Sequence, residues 1–309
     1  MMGRILFEVL IDTGFADICT NPDLTHKGNK SLLSLLNDFE EGQWRRERFL
    51  EYVWNNIAET ALSKKERESL LGAPLSLLKA SAKNLRLTDN DERGRGSEIS
   101  EILLYGIMKD YYKALPVVPK IFHKQNRNDN AKGADSVHLV LTEDMTDFSI
   151  WFGEAKFYKT LSGEALDDIV ESVRNSLDKD KIKKENSIIT DLRDLDGYEM
   201  PNELRQRIYE ILDQDRTIDA IKPKLHIPIL LLHECAKTAS ASEMDEKYLE
   251  KIKEKHIKKA NDYFTKQEGA LKDIVHKYEE VHFHLILFPV PDKDIIVNEF
   301  LNLAKIYRQ

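Results

Sequence analysis

The stretch DSVHLVLTEDMTDFSIWFGEAKFY, residues 135 to 158, decides the fold prediction for this chain. Residues 135–141 alternate between polar and apolar side chains, and residues 148–158 form an apolar run that ends in charged residues. Both segments have the pattern of β-strands, and the short polar segment TEDMTD between them is typical of a hairpin turn. The stretch therefore predicts an antiparallel β-hairpin.

The register of this hairpin places two acidic residues opposite each other. If the strands pair symmetrically about the turn, Leu141 faces Phe148, and Asp135 faces Glu154. Two carboxylates directly opposite repel each other, so packing alone does not explain them. A divalent cation between them would, because Mg²⁺ and Mn²⁺ prefer carboxylate oxygen. Lys156, on the same strand face as Glu154, could then orient or help deprotonate a water, or stabilise the charge of a phosphate.

A third carboxylate comes from the segment that precedes the hairpin. Residues 97–112, SEISEILLYGIMKDYY, carry apolar residues at three- and four-residue spacing, which predicts a helix with Ser97 as its N-cap. At about 100° per residue, Glu98 lies roughly 40° from the apolar stripe, and Glu101 lies farther round towards solvent. We therefore predict that Glu98, and not Glu101, completes a metal site with Asp135 and Glu154.

The other segments alternate between strand-like and helical patterns. Residues 31–62 show apolar positions at helical spacing, which predicts two helices. The segments with strand patterns are 1–15, 116–122, 226–235 and 281–290; further helices are predicted at 163–177, after a Ser162 cap, at 243–279 with a break near Gly269, and at 292–307. This order predicts a mixed sheet flanked by helices.

Composition limits the function classes. The chain has 309 residues, a net charge of −8, and only two cysteines, Cys19 and Cys235. Two cysteines exclude a disulfide framework and favour a reducing cytoplasm, and no apolar run approaches the ~20 residues of a membrane span. A negative net charge is unsuited to general nucleic-acid binding. Nucleic-acid chemistry would therefore need metal ions, local basic patches or a partner.

The candidate site residues resemble a known nuclease pattern. Glu98 on a helix, Asp135 in GAD, and EAK at 154–156, in the order helix, three strands, helix, strand, resemble the PD-(D/E)xK superfamily. Ala134 stands where the superfamily motif has proline, which shapes the strand and is not a ligand. More specifically, GSEISEILLYGIMKDYY, KGADSVHL and GEAKFYKTLSGEALDDIVESV resemble the HamA family, the effector subunits of Hachiman anti-phage defence systems.

The resemblance implies a fold and an activity. The implied fold class is α/β, with a PD-(D/E)xK, restriction-endonuclease-like core whose mixed central sheet is flanked by helices. The implied activity is that of a cytoplasmic, Mg²⁺- or Mn²⁺-dependent nuclease that cleaves DNA. Glu98, Asp135 and Glu154 would bind the metal, and Lys156 would complete the catalytic set.

The resemblance also implies a partner and a division of the chain. A helicase would hold the nuclease and release it during phage infection. Residues 1–90 are predicted to form an N-terminal α/β extension that supplies much of the partner interface. Residues 91–309 are predicted to form the nuclease domain, with a charged insertion at about 178–224.

Simpler explanations remain open for Glu154 and Lys156, and for the function of the chain. Glu154 and Lys156 could simply lie at a solvated strand end that carries a cross-strand ion pair. The chain could also be an inactive nuclease fold that serves as an adaptor and binds nucleic acid or a partner protein. The sequence does not distinguish DNA from RNA, single from double strands, or end from internal cutting.

Two further groups of residues allow two interpretations each. His233, His282 and His284 permit a transition-metal site, although neutral histidines at strand ends are the simpler interpretation. The basic segment KIFHKQNRNDNAKG contains residues that could contact phosphate beside the metal, or it could be only a solvated loop. These candidate phosphate contacts are Lys124, Arg127 and Lys132.

Overall fold

The computed structural model describes residues 7–14, 27–85, 96–115, 134–183, 198–213 and 215–309. The strands in these ranges are β1 (Glu8–Gly14), β2 (Lys30–Leu36), β3 (Phe39–Glu40), β4 (Gln43–Trp44), β5 (Ser136–Leu141), β6 (Phe148–Tyr158), β7 (Leu225–Glu234) and β8 (His282–Val290). The α-helices are α1 (Arg46–Asn55), α2 (Ile57–Ala61), α3 (Lys64–Ser69), α4 (Pro74–Asn84), α5 (Ser97–Asp110), α6 (Gly163–Ser176), α7 (Asn202–Leu212), α8 (Ala236–Ser240), α9 (Glu246–Leu271) and α10 (Lys293–Arg308).

A mixed sheet lies at the centre of the described structure. Its six strands have the order β1-β2-β8-β7-β6-β5. The four inner strands are parallel to one another, whereas β1 and β5 pair antiparallel at the two edges. Inner strands of a parallel arrangement are covered on both faces, which explains the nearly continuous apolar sequence LHIPILLLHE of β7. The predicted α/β class, with a mixed sheet flanked by helices, is confirmed.

Helices cover both faces of the sheet and bury a separate hydrophobic cluster on each. On the first face, which we call the α6–α9 face, Phe152 of β6 packs in one cluster with residues of α6, α7 and α9. On the second, the α5–α10 face, Ala155 of β6 packs in one cluster with residues of α1, α5 and α10. Phe152 and Ala155 are an odd number of residues apart and contribute to opposite faces, as the two-residue period of a strand requires.

Two secondary-structure predictions were wrong in part. Residues 30–36 form strand β2 and not the first of two predicted helices, because the apolar run KSLLSLL pairs with β1 on one side and β8 on the other. Short apolar runs fit a buried strand as well as a helix, and only the partners decide. Helix α9 ends at Leu271, so the predicted break near Gly269 is confirmed, but residues 272–279 do not continue as an α-helix after it.

The N-terminal segment shares its core with the rest of the chain. Strands β1 and β2 belong to the central sheet, and the Phe288 ring of β8 lies 4.8 Å from that of Phe7 and 5.5 Å from that of Phe49. Deletion of residues 1–90 would therefore remove two strands of the central sheet and part of a hydrophobic cluster. The predicted role of this segment at a partner interface stays a prediction.

Candidate metal and catalytic site

The β5–β6 hairpin has the register that the sequence predicts. Ser136 pairs with Gly153, and Leu141 pairs with Phe148. One residue before β5, the Asp135 N–H donates to the Gly153 carbonyl at 2.8 Å. A Cβ atom on Gly153 would lie 2.2 Å from Ser136 Oγ and 2.7 Å from Leu104 Cδ2, so the close approach of strand and helix requires glycine. The hairpin and α5 thus fix the backbone on which the acidic residues lie.

Asp135, Glu154 and Lys156 come together at this hairpin. Lys156 Nζ lies 3.4 Å from Asp135 Oδ2 and 3.6 Å from Glu154 Oε2. Asp135 Oδ2 also accepts the Ala155 N–H at 3.0 Å. Glu154 is only 5% exposed, whereas the Lys156 side chain is 33% exposed. One cation therefore lies between two carboxylates, in a position that solvent can reach.

The charge of Lys156 is set by its acidic neighbours. Burial lowers the pKa of Lys156, but the charges of Asp135, Glu154, Tyr158 and Glu101, in falling order, raise it to about 12. The ammonium group is therefore protonated at neutral pH. In this arrangement Lys156 is a cation that offsets part of the negative charge of the two carboxylates, and it is not a proton acceptor.

Helix α6 supports Glu154 through a serine that the sequence analysis missed. The Ser176 hydroxyl, at the last residue of α6, donates to Glu154 Oε1, and both residues are buried. The helix forms as predicted, since Ser162 caps it by accepting the Ala165 N–H. The signal that could have identified Ser176 is its place three residues after Val173, which puts a polar residue on the buried stripe.

Helix α5 carries the two candidates for a third carboxylate. Its N-cap is Gly96 and not the predicted Ser97, because φ at Gly96 is +88°, a conformation that favours glycine. Glu98 is buried, and Glu101 is half-buried with its charge acting on Lys156. The role of Glu98 stays a prediction, and the structure adds Glu101 as a candidate.

The donor chemistry of Asp135 and Glu154 fits a divalent cation. Both carboxylates face the same positive charge, and Mg²⁺ in proteins commonly uses one or two carboxylates, with water and substrate phosphate as its other ligands. In the described part of the chain, no group of three or more His, Cys, Asp or Glu side chains is placed to hold a metal ion. A divalent cation bound here would therefore have two protein carboxylates, Asp135 and Glu154, as ligands.

The predicted phosphate contacts are not among the described residues. Lys124, Arg127 and Lys132, together with the predicted strand 116–122, fall outside the described residues. Their contact with phosphate stays a prediction.

Three histidines form a second polar cluster, at the amino ends of β7 and β8. His226 Nδ1 lies 2.8 Å from His284 Nε2, and the His282 ring stacks on His226 at 4.6 Å. Burial first, and neighbouring histidines second, lower the pKa of His226 to about 2 and that of His284 to about 3. These imidazoles are therefore neutral at pH 7. His233 lies apart from them, with its ring centroid 5.5 Å from that of His256.

Comparison with known proteins places the chain in a family. The family model HamA matches residues 13–304, a range that includes the hairpin, α5, α6 and every residue of the candidate site. No curated protein matches the chain. Among the described helices, none combines the length and apolar character needed to span a membrane. The match of the HamA model to residues 13–304 shows that the chain belongs to the HamA family, which has a role in Hachiman anti-phage defence.

Proposed function

We propose that this protein is a metal-dependent nuclease that cleaves phosphodiester bonds, with DNA as its substrate, and that it is the effector subunit of a Hachiman defence complex. The observation that carries the proposal is the convergence of Asp135, Glu154 and Lys156 at the end of one hairpin. Two carboxylates and one lysine supply the groups that metal-assisted hydrolysis of a phosphodiester needs.

The burial of Glu154 argues against a solvated ion pair. A carboxylate that is 5% exposed has lost most of its water, and the attraction of one lysine only partly offsets that cost. Exposed pairs, by contrast, contribute little to stability and are found on open surfaces. A site that binds a cation and an anionic substrate gives these buried charges a function.

Each residue has a role in the proposed reaction. Asp135 and Glu154 would hold Mg²⁺ or Mn²⁺, which supplies Lewis-acid stabilisation and lowers the pKa of a bound water. Lys156, as a protonated and partly exposed cation, would donate to a phosphate oxygen and stabilise the charge that develops there. Glu98 or Glu101, from α5, would complete the acidic side of the site.

The proposed regulation of the nuclease rests on the net charge of the chain and on its family. A net charge of −8 weakens unguided binding to DNA, so we propose that a helicase partner restrains the nuclease and delivers it to its substrate. Within residues 1–90, Leu71 lies in the turn between α3 and α4 and is 80% exposed, and Leu75 lies in the first turn of α4 and is 60% exposed. These side chains are candidates for the partner interface.

The partner interface is tested with point variants, because deletion of β1 and β2 would disrupt the sheet. The double variant Leu71→Ser, Leu75→Ser is expected to co-purify with the helicase less than the wild type does. Ile274→Ser removes an apolar side chain that is 60% exposed outside the segment, and serves as the control. Equal co-purification of all three proteins would place the interface elsewhere.

The activity is tested on purified protein, alone and with its helicase partner. Supercoiled plasmid, labelled duplex, single-stranded DNA and RNA are incubated with Mg²⁺ or with EDTA. We expect Mg²⁺-dependent cleavage of DNA that Lys156→Ala abolishes and that Lys159→Ala retains, because Lys159 pairs with Asp294 on the surface. Cleavage that persists in EDTA or in Lys156→Ala would contradict the proposal. Binding without cleavage would support the inactive adaptor instead.

A further inference from the structure

We infer that Ser176 is a positioning residue for Glu154, and that its hydroxyl turns the carboxylate so that Oε2 faces Lys156 and the proposed cation. The inference rests on the proposed function, because it assigns Ser176 a part in metal binding. It goes beyond that function by naming a residue of α6, outside the hairpin and α5, on which the geometry of the site depends.

The two oxygens of Glu154 have different partners. Oε1 accepts the Ser176 hydroxyl, and Oε2 lies 3.6 Å from Lys156 Nζ. The terminal torsion of a glutamate is broad and roughly two-fold, so the side chain alone does not fix the plane of its carboxylate. A donor on one oxygen does fix it. The hydrogen bond from Ser176 therefore fixes the plane of the carboxylate, and with it the direction in which the other oxygen faces the cation side of the site.

The Ser176 hydroxyl has one proton and two neighbouring acceptors. Besides Glu154 Oε1, the Ser172 carbonyl lies 3.1 Å from Ser176 Oγ, a contact that serine often makes within a helix. An ionised carboxylate is the stronger acceptor, since hydrogen bonds to a charged group are about twice as strong as neutral ones. The proton is therefore directed to Glu154, across the contact between α6 and β6.

Burial makes this contact effective. Ser176 is 6% exposed and Glu154 is 5% exposed, so little water competes for either group. The helix is held against the sheet by apolar residues of the same stripe, among them Val173, one turn before Ser176. The serine hydroxyl is thus presented to Glu154 by packing that does not depend on the metal.

The test compares three variants of the full chain. Ser176→Ala removes the hydroxyl, Ser176→Thr keeps one, and Ser172→Ala removes a hydroxyl from the same helix while it leaves the backbone carbonyl in place. Mn²⁺ binding is measured by electron paramagnetic resonance, and the Mg²⁺ concentration at half-maximal DNA cleavage is measured separately from the maximal rate. Thermal unfolding without metal reports on the packing of α6.

We expect Ser176→Ala to bind Mn²⁺ about 10-fold more weakly and to need about 10-fold more Mg²⁺, as is typical for residues that orient a metal ligand. Ser176→Thr and Ser172→Ala should bind like the wild type. Unchanged Mn²⁺ affinity in Ser176→Ala, with or without a lower melting temperature, would overturn the inference, as would an equal loss in Ser172→Ala. Wild-type protein that binds no Mn²⁺ would overturn the inference and the proposed metal site together, whereas the preceding outcomes leave the proposed function intact.

Discussion

The central sheet carries two polar clusters that differ in charge. The acidic cluster, Asp135 and Glu154 with Lys156, keeps its charges, and its lysine has a pKa raised to about 12. The histidine cluster, which contains His226 and His284, loses its charges, because burial and neighbouring imidazoles lower both pKa values far below neutrality. Burial favours the neutral form in both clusters, and only at Lys156 does the charge of the neighbouring carboxylates outweigh it.

The difference supports the proposal that the acidic cluster carries the chemistry. Imidazoles that become neutral can stack and hydrogen-bond at little electrostatic cost, and they need no ligand to explain them. Two carboxylates around a lysine retain a net negative charge in a partly buried place, which a divalent cation would neutralise. Variants of the two clusters should therefore differ in their effect on DNA cleavage.

The largest effect is expected from loss of a carboxylate in the acidic cluster. Asp135→Ala and Glu154→Ala should each lower DNA cleavage by about 10³-fold or more, because either change removes a metal ligand. The protein should stay folded, since Lys156 keeps the other carboxylate as its partner. Circular dichroism and a cleavage assay check both statements. His282→Ala, in the histidine cluster, should cleave like the wild type, and a comparable loss there would end the distinction between the clusters.

A smaller effect is expected from the acids of α5. Glu98→Gln should lower cleavage by about 10- to 100-fold, the range seen when the support of a metal site is removed, and Glu101→Gln should retain it. The helical phase relative to the apolar stripe is the reason for this choice. Cleavage rates of both variants decide it. Because the charge of Glu101 acts on Lys156, the opposite result would assign the third carboxylate to Glu101.

The hairpin geometry can be disturbed without a change of charge. Gly153→Ala would place a Cβ atom 2.2 Å from Ser136 Oγ, so we expect a loss of about 1–3 kcal/mol in the free energy of unfolding, measured with urea. Gly163→Ala is the matched control, because nothing lies within 4 Å of its added Cβ. Equal stability of the two variants would show that the approach of β6 to α5 is loose.

The smallest effect concerns the histidine cluster and pH. The pKa values of His226 and His284 are lowered in the folded chain, so below about pH 6.5 the unfolded chain binds more protons. Their contribution to stability is complete above pH 6.5. It is lost as the pH falls towards the folded pKa values, by up to about 1.4 kcal/mol per pH unit for each histidine.

Urea unfolding at pH 7.5 and pH 5.5 measures this dependence. His226→Gln should lose less stability on acidification than the wild type, and His276→Gln should match the wild type because His276 is exposed. An unchanged acid dependence in His226→Gln would contradict the neutral, buried state of this cluster. Cleavage at pH 7.5 should be the same in all three proteins.

The hairpin could be predicted from local sequence patterns, whereas features that depend on pairing between distant segments could not. The register of β5 and β6 followed from alternation and a short turn, both of which lie within 24 residues. Strand β2 was predicted as helix because its partner β8 lies far along the chain and its apolar run has no clear period. The same distance concealed the contact between His226 and His284, which belong to separate parallel strands.

The candidate site shows the same limit. Asp135, Glu154 and Lys156 could be predicted because they belong to one hairpin, where sequence spacing determines the face. The spacing of Ser176 marks it as a polar residue on a buried stripe, but its contact with Glu154 could not be predicted, since that contact depends on how α6 packs against the sheet. The choice between Glu98 and Glu101 as a further acid depends on the phase of α5 and on its approach to the end of β6. Residue spacing within the helix predicts the phase of α5, but it does not predict how closely α5 approaches the end of β6.

The most direct test of the central claim is calorimetric titration of Mn²⁺ into the purified protein and into the double variant Asp135→Asn, Glu154→Gln. The variant keeps the shape of both side chains and removes their charges. We expect the wild type to bind Mn²⁺ and the variant, equally folded, to show no such binding. Binding of Mn²⁺ by the variant with the affinity of the wild type would contradict the claim that these two carboxylates form a metal site.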